Sequence, residues 1–302
     1  DGDDDLIIGN SFETNSFPWN GRLKFLENRG TDLNPEFHII NEEFLGNLIG
    51  KDLTPTFIDI DNDGDLDLFT GETYGKIFYS ENLGNSSLWE FSEFTTFLDI
   101  DVGYNSVPSF IDIDNDNDHD LFIGNSDGLI TYYKNIGSNI NYNFDFITDN
   151  FSNISVGGKS FPEFFDYDND NDYDLFIGSE FDGLFLFENE GNLESHNFIL
   201  NNNIQFPDLG TNLKISVNQP ILKINNIYVG NTLGGLFHLK LSICGGGDLN
   251  GDLELNILDI NFMVEIILTG NLNENSLCLA DKNLDGFLTI IDILQFINDL
   301  LN

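Results

Sequence analysis

Basic side chains are the scarcest chemistry in this sequence: 11 lysines and arginines stand against 52 aspartates and glutamates, a formal charge of -41 over 302 residues. Such a chain repels phosphate backbones and anionic lipid, which excludes nucleic acid and anionic membrane surfaces as partners. No apolar run reaches the roughly 18 residues that a spanning helix requires, so no membrane insertion is expected. Nor does the start carry a basic leader followed by an apolar stretch. Recognised catalytic patterns are missing too. His38, His119, His196 and His238 stand outside any HExxH or nucleophile-elbow context, and there is no glycine-rich phosphate loop. Cysteine is confined to Cys244 and Cys278. With 40% hydrophobic residues the chain can still bury a sizeable core, in two domains, and wholesale disorder is excluded.

What is abundant is repetition. The stretch "PTFIDIDNDGDLDLFTGETYGKIFYSENLGN" from Pro55 returns as "PSFIDIDNDNDHDLFIGNSDGLITYYKNIGS" from Pro108 and as "PEFFDYDNDNDYDLFIGSEFDGLFLFENEGN" from Pro162. The glycine closing each "DLFxG"-like segment falls at Gly9, Gly71, Gly124 and Gly178, with a degenerate copy, "NIYVG", at Gly230. Each unit holds an apolar run before the acidic loop (57–60), one after it (68–69), a third after a glycine turn (77–79) and a fourth near 91–98. Four short strands per unit make a β-meander. The third strand alternates: Leu23/Phe25, Ile77/Tyr79, Ile130/Tyr132, Phe185/Phe187 and Phe237/Leu239 are apolar, with Lys24, Phe78, Thr131, Leu186 and His238 between them. That pattern predicts one face fixed in a core and the other free. Repeated meanders of this length suit the blades of a β-propeller; the rungs of a linear β-solenoid are much shorter. The opening "DGDDDLIIGN" aligns with Asp63–Gly71, so the chain begins inside a unit and a longer precursor is expected.

The acidic loops carry the chemistry. Roughly half of the 52 acids lie at the start, in these three loops, or in two later ones. A hard cation such as Ca2+ takes about six to eight oxygen ligands, and a short D-x-D-x-D-G-x-x-D turn can supply them. In the first loop Asp59, Asp61, Asp63 and Asp67 would give side-chain oxygens, Asp65 its carbonyl, and Gly64 the bend. Asp112, Asp114, Asp116, Asp118 and Asp120 repeat the set, as do Asp166, Asp168, Asp170, Asp172 and Asp174. There Asn117 and Asn171 replace the bend glycine, and asparagine tolerates the left-handed conformation. The alternative, plain solvated turns, leaves five carboxylates in nine residues repelling one another three times over. Mg2+ keeps its waters and prefers fewer carboxylates.

"DIDNDGDLDLFTG" resembles the calcium loop of FG-GAP/VCBS-type repeats, which occur in secreted bacterial proteins and integrin heads. The resemblance covers residues 1–241 and implies a calcium-binding β-propeller of about five four-stranded blades. It weakens at both ends. The first unit lacks its opening strand and half of its loop, and the fifth, "QPILKINNIYVGNTLGGLFHLKL", lacks the acidic loop.

After Leu241 the pattern turns helical. Two twelve-residue loops follow EF-hand positions, at Asp248, Asn250, Asp252, Asn256 and Asp259, then at Asp281, Asn283, Asp285, Thr289 and Asp292, each with an apolar exit helix. "SICGGG" and "NSLCLA" cannot be full entering helices. A duplicated loop plus exit helix resembles the type I dockerin family over residues 245–302. Leu253 in place of the first bend glycine is a departure from the EF-hand pattern. The resemblance implies a cohesin-like partner, with Ile257, Leu258, Ile290 and Ile291 at the positions that select it. Cys244 and Cys278 precede their loops almost symmetrically, which points to a disulfide clasping the module; two buried free thiols in a reducing compartment are the alternative.

The reading these features support is a secreted, non-catalytic assembly protein, extracellular or on the cell surface, that binds Ca2+ and docks its C-terminal module onto another copy of the chain or onto a cohesin-like protein. Docking onto a second copy would run head to tail and grow filaments. The rival reading is a carbohydrate-binding or carbohydrate-cleaving propeller held on a scaffold, with Trp19, Trp89 and Tyr104 as candidates for stacking on glycans.

Overall fold

The structure, a computed structural model, describes residues 5–10, 21–30, 35–46, 50–85, 88–168, 170, 172–192, 195–202, 206, 213–218, 224–231, 236–242, 249, 256–269, 280 and 288–301. It is mainly β, and its strands form consecutive antiparallel meanders in a propeller-like arrangement. The first sheet holds β1 (Leu6–Gly9), β2 (Leu23–Asn28) and β3 (Phe37–Phe44). Three four-stranded sheets follow. They are β4 (Thr54–Ile58), β5 (Asp67–Gly71), β6 (Lys76–Ser80) and β7 (Thr95–Asp101); then β8 (Val107–Ile111), β9 (Asp120–Gly124), β10 (Ile130–Asn135) and β11 (Phe144–Thr148); then β12 (Ser160–Phe165), β13 (Asp174–Ser179), β14 (Leu184–Asn189) and β15 (Phe198–Leu200). The last sheet has β16 (Lys214–Asn218), β17 (Ile224–Gly230) and β18 (Leu236–Ser242). Among the described residues the first and last sheets are three-stranded, and the first matches the unit that the sequence shows without its opening strand.

Register repeats as faithfully as sequence. Thr54, Val107, Phe161 and Lys214 each lie opposite the repeat glycine of their own sheet, at Gly71, Gly124, Gly178 and Gly230. The glycine also marks the joint between sheets. A Cβ on Gly71 would sit 2.0 Å from the Ser106 carbonyl oxygen, and one on Gly124 2.2 Å from that of Ser160. Only glycine lets the entry to the next sheet come so close. The approach brings backbone groups into bonding range: the Ser106 N–H donates to the Glu72 carbonyl at 3.1 Å and the Ser160 N–H to the Asn125 carbonyl at 3.0 Å. At both joints the serine hydroxyl adds to this. Ser106 Oγ accepts from the Glu72 N–H and donates to the Lys76 carbonyl, and Ser160 Oγ does the same with Asn125 and Leu129.

The prediction of one free sheet face is overturned. Phe78, Thr131 and Leu186, assigned to that face, are all buried. The reason is that each inner sheet is sandwiched between two others. From β9, Leu121 and Ile123 join Phe69 and Ile77 of the preceding sheet, while Phe122 points the other way into a core with Phe164, Leu175 and Ile177 of the following sheet. Two-sided burial makes β5, β9 and β13 near-continuous apolar runs, as packing on both faces requires. The outer strands β3 and β11 are largely exposed.

Near the C-terminus, α1 (Ile257–Thr269) and α2 (Ile290–Leu301) pack through Ile260, Met263 and Phe296. Among the described residues no helix is long and apolar enough to cross a membrane.

Candidate metal-binding loops

The acidic loops connect the first strand of each complete sheet to the second. In an antiparallel meander this places them at the same end as the connection from the third strand to the fourth. The loop backbone is held by its own acids. Asp59 accepts the N–H groups of Asp63 and Gly64, one on each oxygen, and Asp112 accepts those of Asp116 and Asn117 in the same way. Gly64 (φ 95°) and Asn117 (φ 68°) are left-handed, as the bend required, and so are Asn62 and Asn115. Asn171 lies outside the described residues.

These turns gather charge. Carboxylate oxygens of Asp59, Asp61 and Asp63 lie within 4.8 Å of one another, as do those of Asp112, Asp114 and Asp116, and those of Asp166, Asp168 and Asp174. Behind each cluster, oxygens without any hydrogen-bond donor are buried: Oδ1 of Asp61 and Asp65 and Oδ2 of Asp67 in the first loop, Oδ1 of Asp114 and Asp118 in the second, and Oδ1 of Asp172 in the third. Asp65, Asp118 and Asp172 are each 6% exposed, so these oxygens lie away from bulk solvent. Burial, compounded by neighbouring carboxylates, pushes Asp118 and Asp172 up to about 6. Burial likewise raises Asp67 to about 6 and Asp120 and Asp174 to about 7, although each accepts a backbone N–H from its partner asparagine that opposes the rise. Convergent, desolvated carboxylates with unsatisfied oxygens are a donor set for a hard divalent cation.

The last aspartate of each loop has a second task that the sequence reading missed. The N–H of Asn82 donates to Asp67 at 2.8 Å, that of Asn135 to Asp120 at 2.7 Å, and that of Asn189 to Asp174 at 2.8 Å. Asn28 makes the same bond to Asp5 at 2.8 Å, so the truncated first unit keeps it. Each of these buried asparagines also accepts two N–H groups on Oδ1, from the residues two and eight positions on; for Asn135 these are Gly137 and Asn143. The lock ties the acidic loop to the third-to-fourth-strand connection. Its signal is legible: "ENRG", "ENLG", "KNIG" and "ENEG" share the Asn-x-Gly.

The second loop differs in one further respect. Lys134, one residue before its lock asparagine, forms an ion pair with Asp114 and lies 3.6 Å from Asp116.

In the C-terminal module Asp248, Asn250, Asp252, Asp281, Asn283, Asp285, Cys244 and Cys278 lie outside the described residues, so the expected cation loops and disulfide have no structural account. The remaining predicted ligands form helix caps. Asn256 Oδ1 accepts the Leu258 N–H while Asp259 Oδ2 reaches back to the Asn256 N–H at 3.0 Å; Thr289 Oγ1 accepts the Ile291 N–H and Asp292 Oδ2 takes the Thr289 N–H at 2.7 Å. Both are variants of the capping box, with the cap oxygen on the second helical N–H and an aspartate reaching back from the third position. Ile257, Leu258, Ile290 and Ile291 are exposed in the first turns of the helices.

The glycan candidates do not form one site. Trp89, on the acidic-loop end, packs edge-on against Phe25 and Phe44, whereas Tyr104 sits on the β7–β8 connection at the opposite end. Trp19 lies outside the described residues. Among the histidines, burial lowers the pKa of His119 and of His196, and His196 stacks on Phe198.

Repeated meanders joined sheet to sheet, each with an acidic turn after its first strand, define a propeller-type repeat protein. Residues 59–123, from the head of the first loop into β9, match the family model of the FG-GAP-like repeat. Neither a curated protein nor a solved structure matches the chain.

Proposed function

We propose that this chain is an extracellular, calcium-stabilised assembly protein without catalytic activity, its five sheets serving as the blades of one propeller (residues 1–241) and its C-terminal helix pair as a dockerin-like module (residues 245–302). The observation that carries this reading is the set of three convergent carboxylate clusters with buried, donor-less oxygens. In the first loop Asp59, Asp61, Asp63 and Asp67 would hold Ca2+; in the second Asp112, Asp114, Asp116 and Asp120; in the third Asp166, Asp168, Asp170 and Asp174. The cation supplies charge neutralisation, which a chain of charge -41 lacks. The partner is another copy of the chain or a cohesin-like protein, met by Ile257, Leu258, Ile290 and Ile291, which the fold leaves exposed. Light scattering and negative-stain microscopy with calcium and then with chelator test this. Filaments that dissolve on chelation, or on deletion of 245–302, support assembly, and a monodisperse monomer in calcium at high concentration refutes self-association.

A second reading, glycan binding, is favoured by Tyr74 and Tyr104, both exposed on turns brought together where Gly75 meets Gly103. Saturable binding on a glycan array, lost in Tyr74→Ala with Tyr104→Ala, would select it.

A further inference from the structure

The residue before each lock asparagine is Glu27, Glu81, Lys134 and Glu188 in successive units. Lys134 reaches the second and third aspartates of its acidic loop. Glu188 adds to the negative field on Asp168, the second aspartate of its loop, while Lys134 places its ammonium on Asp114, the equivalent acid, and close to Asp116. One unit of three thus carries a tethered cation where the others carry an anion. We infer that Lys134 is an internal counter-ion that competes with the divalent cation at the second loop, so that the three propeller sites fill in two stages: the first and third loops early, the second late.

This rests on the reading of the loops as cation sites. Asp114 has one oxygen on Lys134 and the other, Oδ1, buried without a donor, and Asp118 Oδ1 behind it is also unsatisfied at 6% exposure. The second loop therefore keeps the donor set of a site while starting from a less negative charge. For a divalent ion to bind there, the ammonium must swing away or share the acids at close range. A unit charge a few ångströms from the ion, in a half-buried site of intermediate dielectric, weakens binding by about tenfold or more. The swap has a consequence for the free protein as well. The second loop is the one whose acids are partly neutralised without any ion, so it holds its geometry when the others repel.

The test is a calcium titration of the full chain, stripped with chelator, followed by backbone amide NMR. The signals of Gly64, Asn117 and Asp170 report the first, second and third loops separately from the C-terminal module. In the wild type the Asn117 midpoint is expected at a calcium concentration about tenfold or more above those of Gly64 and Asp170. Lys134→Met should bring it to within about threefold of them, Lys134→Glu should carry it lower still, and Lys134→Arg should keep the lag. Coincident midpoints in the wild type, or a second-loop midpoint unmoved by Lys134→Met, overturn the inference while leaving the cation sites standing. Absence of any calcium response at all three loops overturns the cation reading itself, and this inference with it.

Discussion

The propeller loops and the C-terminal helix starts are written in the same alphabet, aspartate and asparagine at alternate positions, yet the fold treats their acids in opposite ways. At the helix starts Asp259 and Asp292 are fully buried and are answered by backbone N–H groups: Leu249 and Asn256 for the one, Thr289 for the other. In the propeller loops Asp61, Asp65, Asp114, Asp118 and Asp172 keep buried oxygens that nothing answers. An acidic motif is therefore two kinds of object. One is a cap that the chain satisfies by itself; the other is a charge cluster whose buried oxygens the chain leaves without donors.

The comparison is broken most forcefully by removing cations. An ion that binds only the folded state at a hundred times its Kd adds about 2.7 kcal/mol per site, so three propeller sites imply a loss of roughly 8 kcal/mol on chelation and a fall in Tm of at least about 10 °C. An unchanged melting midpoint in chelator would place the loops in the same class as the caps.

Charge removal sharpens the same point through a change of sign. The combined variant Asp61→Asn, Asp114→Asn and Asp168→Asn should melt several degrees below the wild type in calcium and at or above it in chelator, because without a cation the substitutions relieve repulsion. A variant that is less stable under both conditions would show that these carboxylates are structural.

Protons should substitute in part for the cation. Asp67, Asp118, Asp120, Asp172 and Asp174 have folded-state values raised to about 6 or 7 from the ordinary 3.8. The folded state thus binds more protons than the unfolded one between about pH 4 and 7, and in chelator stability falls as pH rises through that window. Denaturant titrations in chelator at pH 5 and pH 8 should show the protein more stable at pH 5. The reverse order would mean that these acids are stabilised as anions by the protein alone.

Smaller effects separate the lock from the loops. Asn135→Ala removes the acceptor of the Gly137 and Asn143 N–H groups and should cost about 2 kcal/mol in urea unfolding, in chelator as well as in calcium. Thr289→Ala removes one capping-box oxygen, for about 1 kcal/mol, again without calcium dependence. A calcium-dependent cost for Thr289→Ala would place the helix starts with the cation loops instead.

Much of this was legible in advance, because repetition aligns equivalent residues without any other sequence. The meanders, the loop bends at Gly64 and Asn117, and the short first sheet follow from that alignment and local backbone preference. The Asn-x-Gly lock was equally visible, but its function was not. An asparagine accepting N–H groups two and eight positions away becomes intelligible only once the turn between them is closed. The free sheet face failed for a related reason: alternation reports one-sided burial, and a sheet covered on both sides has apolar residues in both registers, as Phe122 and Ile123 do.

The sequence by itself determined the period, the strands, the acidic turns and their charge, since each depends on residues near one another along the chain. Tertiary structure decided what each acid became. For the acids that end against a lysine or a lock asparagine, the partner comes from the strand connection folded over the loop, more than a dozen residues away. Lys134 reaches Asp114 across twenty positions, and Asn135 reaches Asp120 across fifteen. Burial, which raises the pKa of these acids, is a property of neighbouring sheets, and no local pattern encodes it.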